Sequence, residues 1–142
     1  MSKKIFFSLV CAILLAGCAG APQQPVTEIT VEAADFTYEP VSITVPAGQP
    51  VTLMLKNTGK VEHDFVIDKI DVTNVETSDS GPAEHHQMRA MPEYDLHFFA
   101  KAGEVASLQF TALEPGNYEI FCSIAGHKEA GMIGALIVAA QE

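Results

Sequence analysis

From residue 28 onward, apolar side chains recur at every second position in short runs, and each run is stopped by Gly, Pro or Asn. Ile29 and Val31 alternate, then Val41, Ile43 and Val45, then Val51, Leu53 and Leu55. Phe65 and Ile67 follow, then Ala106, Leu108 and Phe110, then Tyr118, Ile120 and Cys122, and a strand-like run from Ile133 to Val138. Pro46-Ala47-Gly48, Asn57-Thr58-Gly59, Ala102-Gly103 and Pro115-Gly116-Asn117 punctuate them. A period of two puts alternate side chains on opposite faces of an extended chain, so each run buries one face and wets the other. No helical period intervenes, and a parallel α/β sheet needs helices between its strands. The pattern predicts an all-β, Greek-key β-sandwich of about seven to eight strands in one domain, residues 28–142. Residues 71–93 break the rhythm with Ser78-Asp79-Ser80-Gly81-Pro82, and read as one long insertion loop with a short helix around Ala83 to Met91.

The first 27 residues follow another logic. Lys3 and Lys4 precede an apolar run from Ile5 to Leu15, then the small residues Ala16 and Gly17. This is the order of a secretory signal, and the run is shorter than the roughly 20 residues a bilayer span needs. Leu15-Ala16-Gly17-Cys18 resembles the lipobox of bacterial lipoproteins. The resemblance implies a signal peptide over residues 1–17, lipid on Cys18, and an exported protein anchored to a membrane of the cell envelope, facing periplasm or exterior. Residues 18–27 are small, polar and proline-bearing, and read as a flexible tether.

The chain has three cysteines, Cys11, Cys18 and Cys122. Cys11 falls inside the signal and Cys18 takes the lipid, so Cys122 is the one thiol left in the domain. A lone thiol in an exported protein points to a metal or to another chain. Charge narrows the partners. The chain carries 8 Lys+Arg and 18 Asp+Glu; without Lys3 and Lys4 this is 6 against 18, a net of −12. An acidic surface excludes nucleic acid and anionic lipid as main partners and suits a basic protein.

The chemistry sits near the C-terminus. Cys122, His127 and Met132 stand five residues apart, C-x4-H-x4-M, in a loop bearing Gly126 and Gly131. A strand delivers the cysteine, and the loop folds the imidazole and thioether back toward it. His63, in Val61-Glu-His-Asp-Phe-Val-Ile67, supplies a second imidazole. Two His, one Cys and a weak axial Met are the donor set of copper electron-transfer sites. Thiolate and imidazole serve both oxidation states, and a distant thioether tunes the potential. Singly, each of these residues reads as packing; the order and spacing of all four make the metal reading.

The segment from Tyr118 to Met132 resembles the ligand loop of cupredoxins, the type 1 blue-copper proteins. Val61-Glu-His-Asp-Phe resembles their first-histidine motif, and Glu114-Pro-Gly-Asn-Tyr118 resembles the turn before their cysteine strand. The likeness runs over about residues 28 to 140, with a layout similar to auracyanin- and azurin-like members. It implies a cupredoxin-like sandwich holding one type 1 copper ion at His63, Cys122, His127 and Met132. It also implies that His127 lies at the exposed edge and conducts the electron, with Ile124, Ala125, Ala130 and Ile133 as the apolar docking patch. Where many members carry Asn after the first His, this chain has Asp64, whose carboxylate is placed to hydrogen-bond across to the Cys loop at Ser123.

The resulting expectation is a monomeric, non-enzymatic carrier with no small-molecule substrate. It passes single electrons between redox proteins such as a cytochrome or terminal oxidase while copper cycles between Cu(II) and Cu(I). The alternative is a lipid-anchored periplasmic copper-binding or delivery protein, a chaperone or buffer. A metal-free interaction module is a third reading. His85, His86, Met88 and Met91 form a candidate secondary metal site, against the plainer reading of a surface loop. His97 lies between Leu96 and Phe98 in a strand-like run, so it points away from them, to the surface, and is not assigned to copper.

Overall fold

The computed structural model describes residues 26–79 and 94–141, and the described residues form ten strands and no helix. In chain order they are β1 (Thr27–Ala34), β2 (Thr37–Glu39), β3 (Ser42–Pro46), β4 (Pro50–Asn57), β5 (His63–Ile67), β6 (Val72–Ser78), β7 (Leu96–Ala100), β8 (Val105–Ala112), β9 (Gly116–Phe121) and β10 (Ile133–Ala139). One sheet runs β2-β1-β4-β8-β6 and the other β3-β10-β9-β5-β7. Neighbours are antiparallel except for β1 with β4 and β3 with β10, which run parallel.

The alternation works as expected. Val51, Leu53 and Leu55 of β4 face inward, and Ala106, Leu108 and Phe110 of β8 meet them in register across the sheet. From the other sheet Ile43, Val45, Phe65, Ile67, Phe98, Ile120, Leu136 and Val138 close the core. Full burial of each large side chain contributes roughly 1.5–3 kcal/mol. Strand β5 departs from alternation because all five residues are buried. His63, Phe65 and Ile67 take one face, and Asp64 and Val66 are closed off on the other.

Three expectations change. The predicted 71–93 loop contains a strand, since β6 pairs with β8 at the edge of its sheet. Its residues are nearly all exposed, its register shifts between Thr73 and Glu76, and Asn74 is left-handed at φ 55°. A polar, bulged edge strand carries no alternation to read. The short strands β2 and β7 raise the count above seven to eight, and β1 begins at Thr27, inside the expected tether. The signal, Cys18, the helix around 83–91, and His85, His86, Met88 and Met91 lie outside the described residues.

Each end of the sandwich is tied. At one, left-handed Gly48 (φ 70°) turns β3 into β4, its N–H donating to Ala112 O at 2.7 Å, while Ala47 N–H donates to Ala139 O at 2.8 Å. At the other, β4 ends on Asn57, 1% exposed, whose side chain is fully employed. Its Nδ2 donates to Val61 O (2.7 Å) and Ala100 O (2.9 Å), and its Oδ1 accepts from Gly59 N–H (2.8 Å). Its backbone bonds Glu104 and Gly103. Asn57 thereby fixes the loop that leads into His63. Replacing Asn57 with Ala strips partners from buried carbonyls, and is expected to destabilise the metal-free protein by about 2–4 kcal/mol in urea unfolding.

Candidate metal centre

His63 opens β5 directly after the Asn57-pinned loop and is fully buried. Cys122 follows the last residue of β9, also fully buried. The chain then makes a compact turn, with Gly126 (φ 86°) and Gly131 (φ 101°) in the left-handed conformation that glycine tolerates. The turn is closed by its own backbone. His127 N–H donates to Ile124 O (3.0 Å), Ala130 N–H to Gly126 O (3.0 Å) and Gly131 N–H to Lys128 O (2.9 Å). Met132 N–H donates to His127 O (3.0 Å) and Cys122 N–H to Met132 O (3.3 Å). This is the physical sense of the C-x4-H-x4-M spacing: one turn brings Cys122, His127 and Met132 together by main-chain bonds.

Across the site, one donor atom each from His63, Cys122 and His127 lies within 4.8 Å of the others. Cys122 Sγ is 3.2 Å from His127 Nδ1, and the two imidazole centroids are 5.0 Å apart. Both ring nitrogens of His63 are buried without a hydrogen-bond partner. A buried imidazole left unpaired costs free energy, and a metal ion would supply the missing partner. Met132 is fully buried in the same apolar cluster as Cys122. Two imidazoles, a thiol and a thioether, all buried, fit a copper ion.

The electrostatics agree. Burial, reinforced by the Asp64 charge, pushes the Cys122 thiol up to about 12. Burial, then the neighbouring His127, pulls His63 below its ordinary value. The metal-free site is therefore a neutral imidazole facing a protonated thiol.

Asp64 does what was expected of it and more. Its Oδ1 accepts Ser123 N–H at 2.7 Å and its Oδ2 accepts Ser123 Oγ–H at 2.5 Å. Burial alone would raise this carboxyl, but hydrogen bonds from His97 and Ser123 outweigh it and hold the group below its usual range. His97 corrects an expectation. It does point away from Leu96 and Phe98, but its side chain is only 16% exposed and its Nε2 lies 3.2 Å from Asp64 Oδ2. It supports the site and is no surface residue. Tyr38 donates to the Asp64 backbone carbonyl at 2.5 Å, and burial drives its phenol well above the ordinary range.

The expected exposed edge also differs. His127 is 8% exposed, in T-shaped contact with the Phe36 ring at 5.1 Å, and Phe36 itself is 43% exposed. Of the expected patch, Ala125, Ala130 and Ile133 are exposed, while Ile124 is half-buried against the core. Phe36 was missed because it lies far upstream of His127 on a turn with no motif, and Tyr38 because nothing local marks it within the three-residue strand β2.

A family profile for the cupredoxin-like domain matches residues 5–138. The copper-resistant cuproprotein CopI of Rubrivivax gelatinosus is 35% identical over 107 residues, covering 71% of this chain and 59% of that protein. Auracyanin-A of Chloroflexus aurantiacus is 28% identical over 149 residues, covering 89% of this chain and 90% of the relative. Among solved structures, a reduced auracyanin from Roseiflexus castenholzii superposes with a TM-score of 0.58 at 24% identity, covering 80% of this chain and 97% of its own; at that identity the likeness is one of fold.

Metal entering this site must displace the Cys122 proton, while His63 has none to give at neutral pH. Adding Cu(II) to the metal-free protein at pH 7 in weak buffer is expected to release about one proton per ion, and Cys122→Ser should abolish most of it. An indicator dye, or calorimetry in two buffers, measures the count.

Proposed function

The chain belongs to the cupredoxin-like family, and we propose that it holds one type 1 copper ion at His63, Cys122, His127 and Met132 and passes single electrons between redox proteins of the cell envelope. Bound copper supplies the one-electron couple Cu(II)/Cu(I). The protein supplies a site that does not have to move. The observation that carries this reading is the closure of the donor set. His63 and Cys122 are fully buried, His127 nearly so, and main-chain bonds together with the Asp64–Ser123 pair hold them in place. A preorganised donor set changes little as the electron arrives and leaves, which keeps transfer fast. In this reading the protein is a carrier and no enzyme. Its acidic surface suits a basic docking partner such as a cytochrome or an oxidase domain. The N-terminal segment fits lipidation at Cys18, with the domain held at a membrane facing periplasm or exterior.

A second reading has its own support. The likeness to a copper-resistant cuproprotein favours copper binding or delivery in the same compartment. The chain spans 59% of that relative's length.

Cu(II) added to the purified protein is expected to give an intense blue or green thiolate-to-copper band that disappears in Cys122→Ser; a colourless protein would sink the assignment. A carrier should keep its copper through repeated reduction and reoxidation, whereas a delivery protein should yield it to a mild chelator. Met132→Gln should retain the band and shift the potential. Asp64→Asn removes a charge that favours Cu(II), so its potential should rise by roughly 40–90 mV, the equivalent of about 1–2 kcal/mol for one electron. Voltammetry of the two variants reads both effects.

A further inference from the structure

The β1–β2 hairpin turns on two residues, Asp35 and Phe36, between the paired Ala34 and Thr37. Phe36 sits at φ 67°, a left-handed conformation at the turn position that glycine or asparagine normally takes. A bulky aromatic there is a true outlier and is strained. Its side chain is not buried in return, being 43% exposed. It makes a T-shaped contact with the His127 ring, centroids 5.1 Å apart and planes at 88°. The neighbouring Asp35 turns to the other imidazole. The Asp35 Oδ1 and His63 Nε2 both lie within 2.9 Å of the point where a β-carbon on Gly59 would stand. The space beside Gly59 thus holds Asp35 Oδ1, Asn57 Oδ1 and His63 Nε2 close together, with no hydrogen bond to the imidazole, and the Asp35 charge acts on His63 through space. Lys60 N–H donates to Asp35 Oδ1 at 3.0 Å and aims the carboxylate.

We propose that the Asp35-Phe36 turn is a two-pronged cap over the imidazole ligands, Asp35 steadying His63 and Phe36 shielding His127, and that this cap sets how fast copper leaves the site. The proposal rests on the copper assignment above. Phe36 and Asp35 are positioning residues, acting through the two rings. The cap explains why a strained aromatic occupies a turn that glycine would fill at no cost. It also means that a docking partner meets the Phe36 ring before it meets His127.

Release of Cu(I) to bathocuproine disulfonate under ascorbate tests it. Phe36→Gly relieves the backbone strain, so the fold should survive while release accelerates about tenfold, the scale of one lost aromatic contact. Phe36→Leu, which keeps an apolar cover, should stay within about threefold of the wild type. Asp35→Ala removes the Asp35 prong while leaving His63 and Gly59 untouched, and should accelerate release at least about threefold. In the metal-free protein, nuclear Overhauser contacts between the Phe36 and His127 rings should be present. A Phe36→Gly rate within about twofold of the wild type, or no ring contact in the metal-free protein, overturns the cap. A wild type without a thiolate-to-copper band instead faults the copper assignment, and the ring contact then still judges the geometry.

Discussion

A single buried carboxylate organises the metal end of this protein. Asp64 lies on the outward face of β5, yet it is closed off from water, and a carboxylate in that setting must be fully hydrogen-bonded or neutral. It is fully hydrogen-bonded, and its partners come from three directions: Ser123 in the ligand loop, His97 on β7, and Tyr38 on the backbone carbonyl. The residue on one side of Ser123 is the cysteine, and the residue before Asp64 is the first histidine. One charge thereby sets the distance between two ligands that are 59 residues apart in the chain. An amide could make some of these bonds, but it could not accept at both oxygens. The carboxylate exchanges some desolvation cost for a donor-lined junction.

Asn57 plays the complementary part on the other sheet. It joins the end of β4 to the loops before β5 and after β7, so the two sheets are cross-linked by polar groups at the metal end and by backbone bonds at Gly48 at the far end. The apolar core between them supplies most of the stabilisation, and the polar groups supply the register. Burial without direction would leave the donors of His63, Cys122 and His127 free to drift. The 3.2 Å between Sγ and Nδ1 shows that direction.

Much of this was legible in the residues themselves, for reasons that can be named. Strands β4, β8 and β10 alternate because each has one wet face, and period two is then unavoidable. The C-x4-H-x4-M spacing is local, so the loop that closes it could be read from Gly126 and Gly131. The link from Asp64 to Ser123 followed from chemistry: a carboxylate beside one ligand and a hydroxyl beside the other. What stayed hidden was non-local or patternless. β6 is exposed on nearly every residue, so no period marks it. His97 looked like a surface residue because alternation predicts which way a side chain points and not what covers it. Phe36 is separated from His127 by 91 positions, and only the β1–β2 turn brings them together.

The path of β1 has a mechanical meaning. It enters the sheet at Thr27 and ends at Ala34, where Ala33 O accepts Thr58 N–H from the loop that leads into His63. Eight extended residues cover about 25 Å. Whatever holds the chain upstream of Thr27 therefore grips the end of the sandwich remote from His127. Were the chain lipidated at Cys18 as proposed, the domain would hang with its His127 end outward and swivel about its base, so that one anchored molecule would sweep a hemisphere without letting go of its mooring.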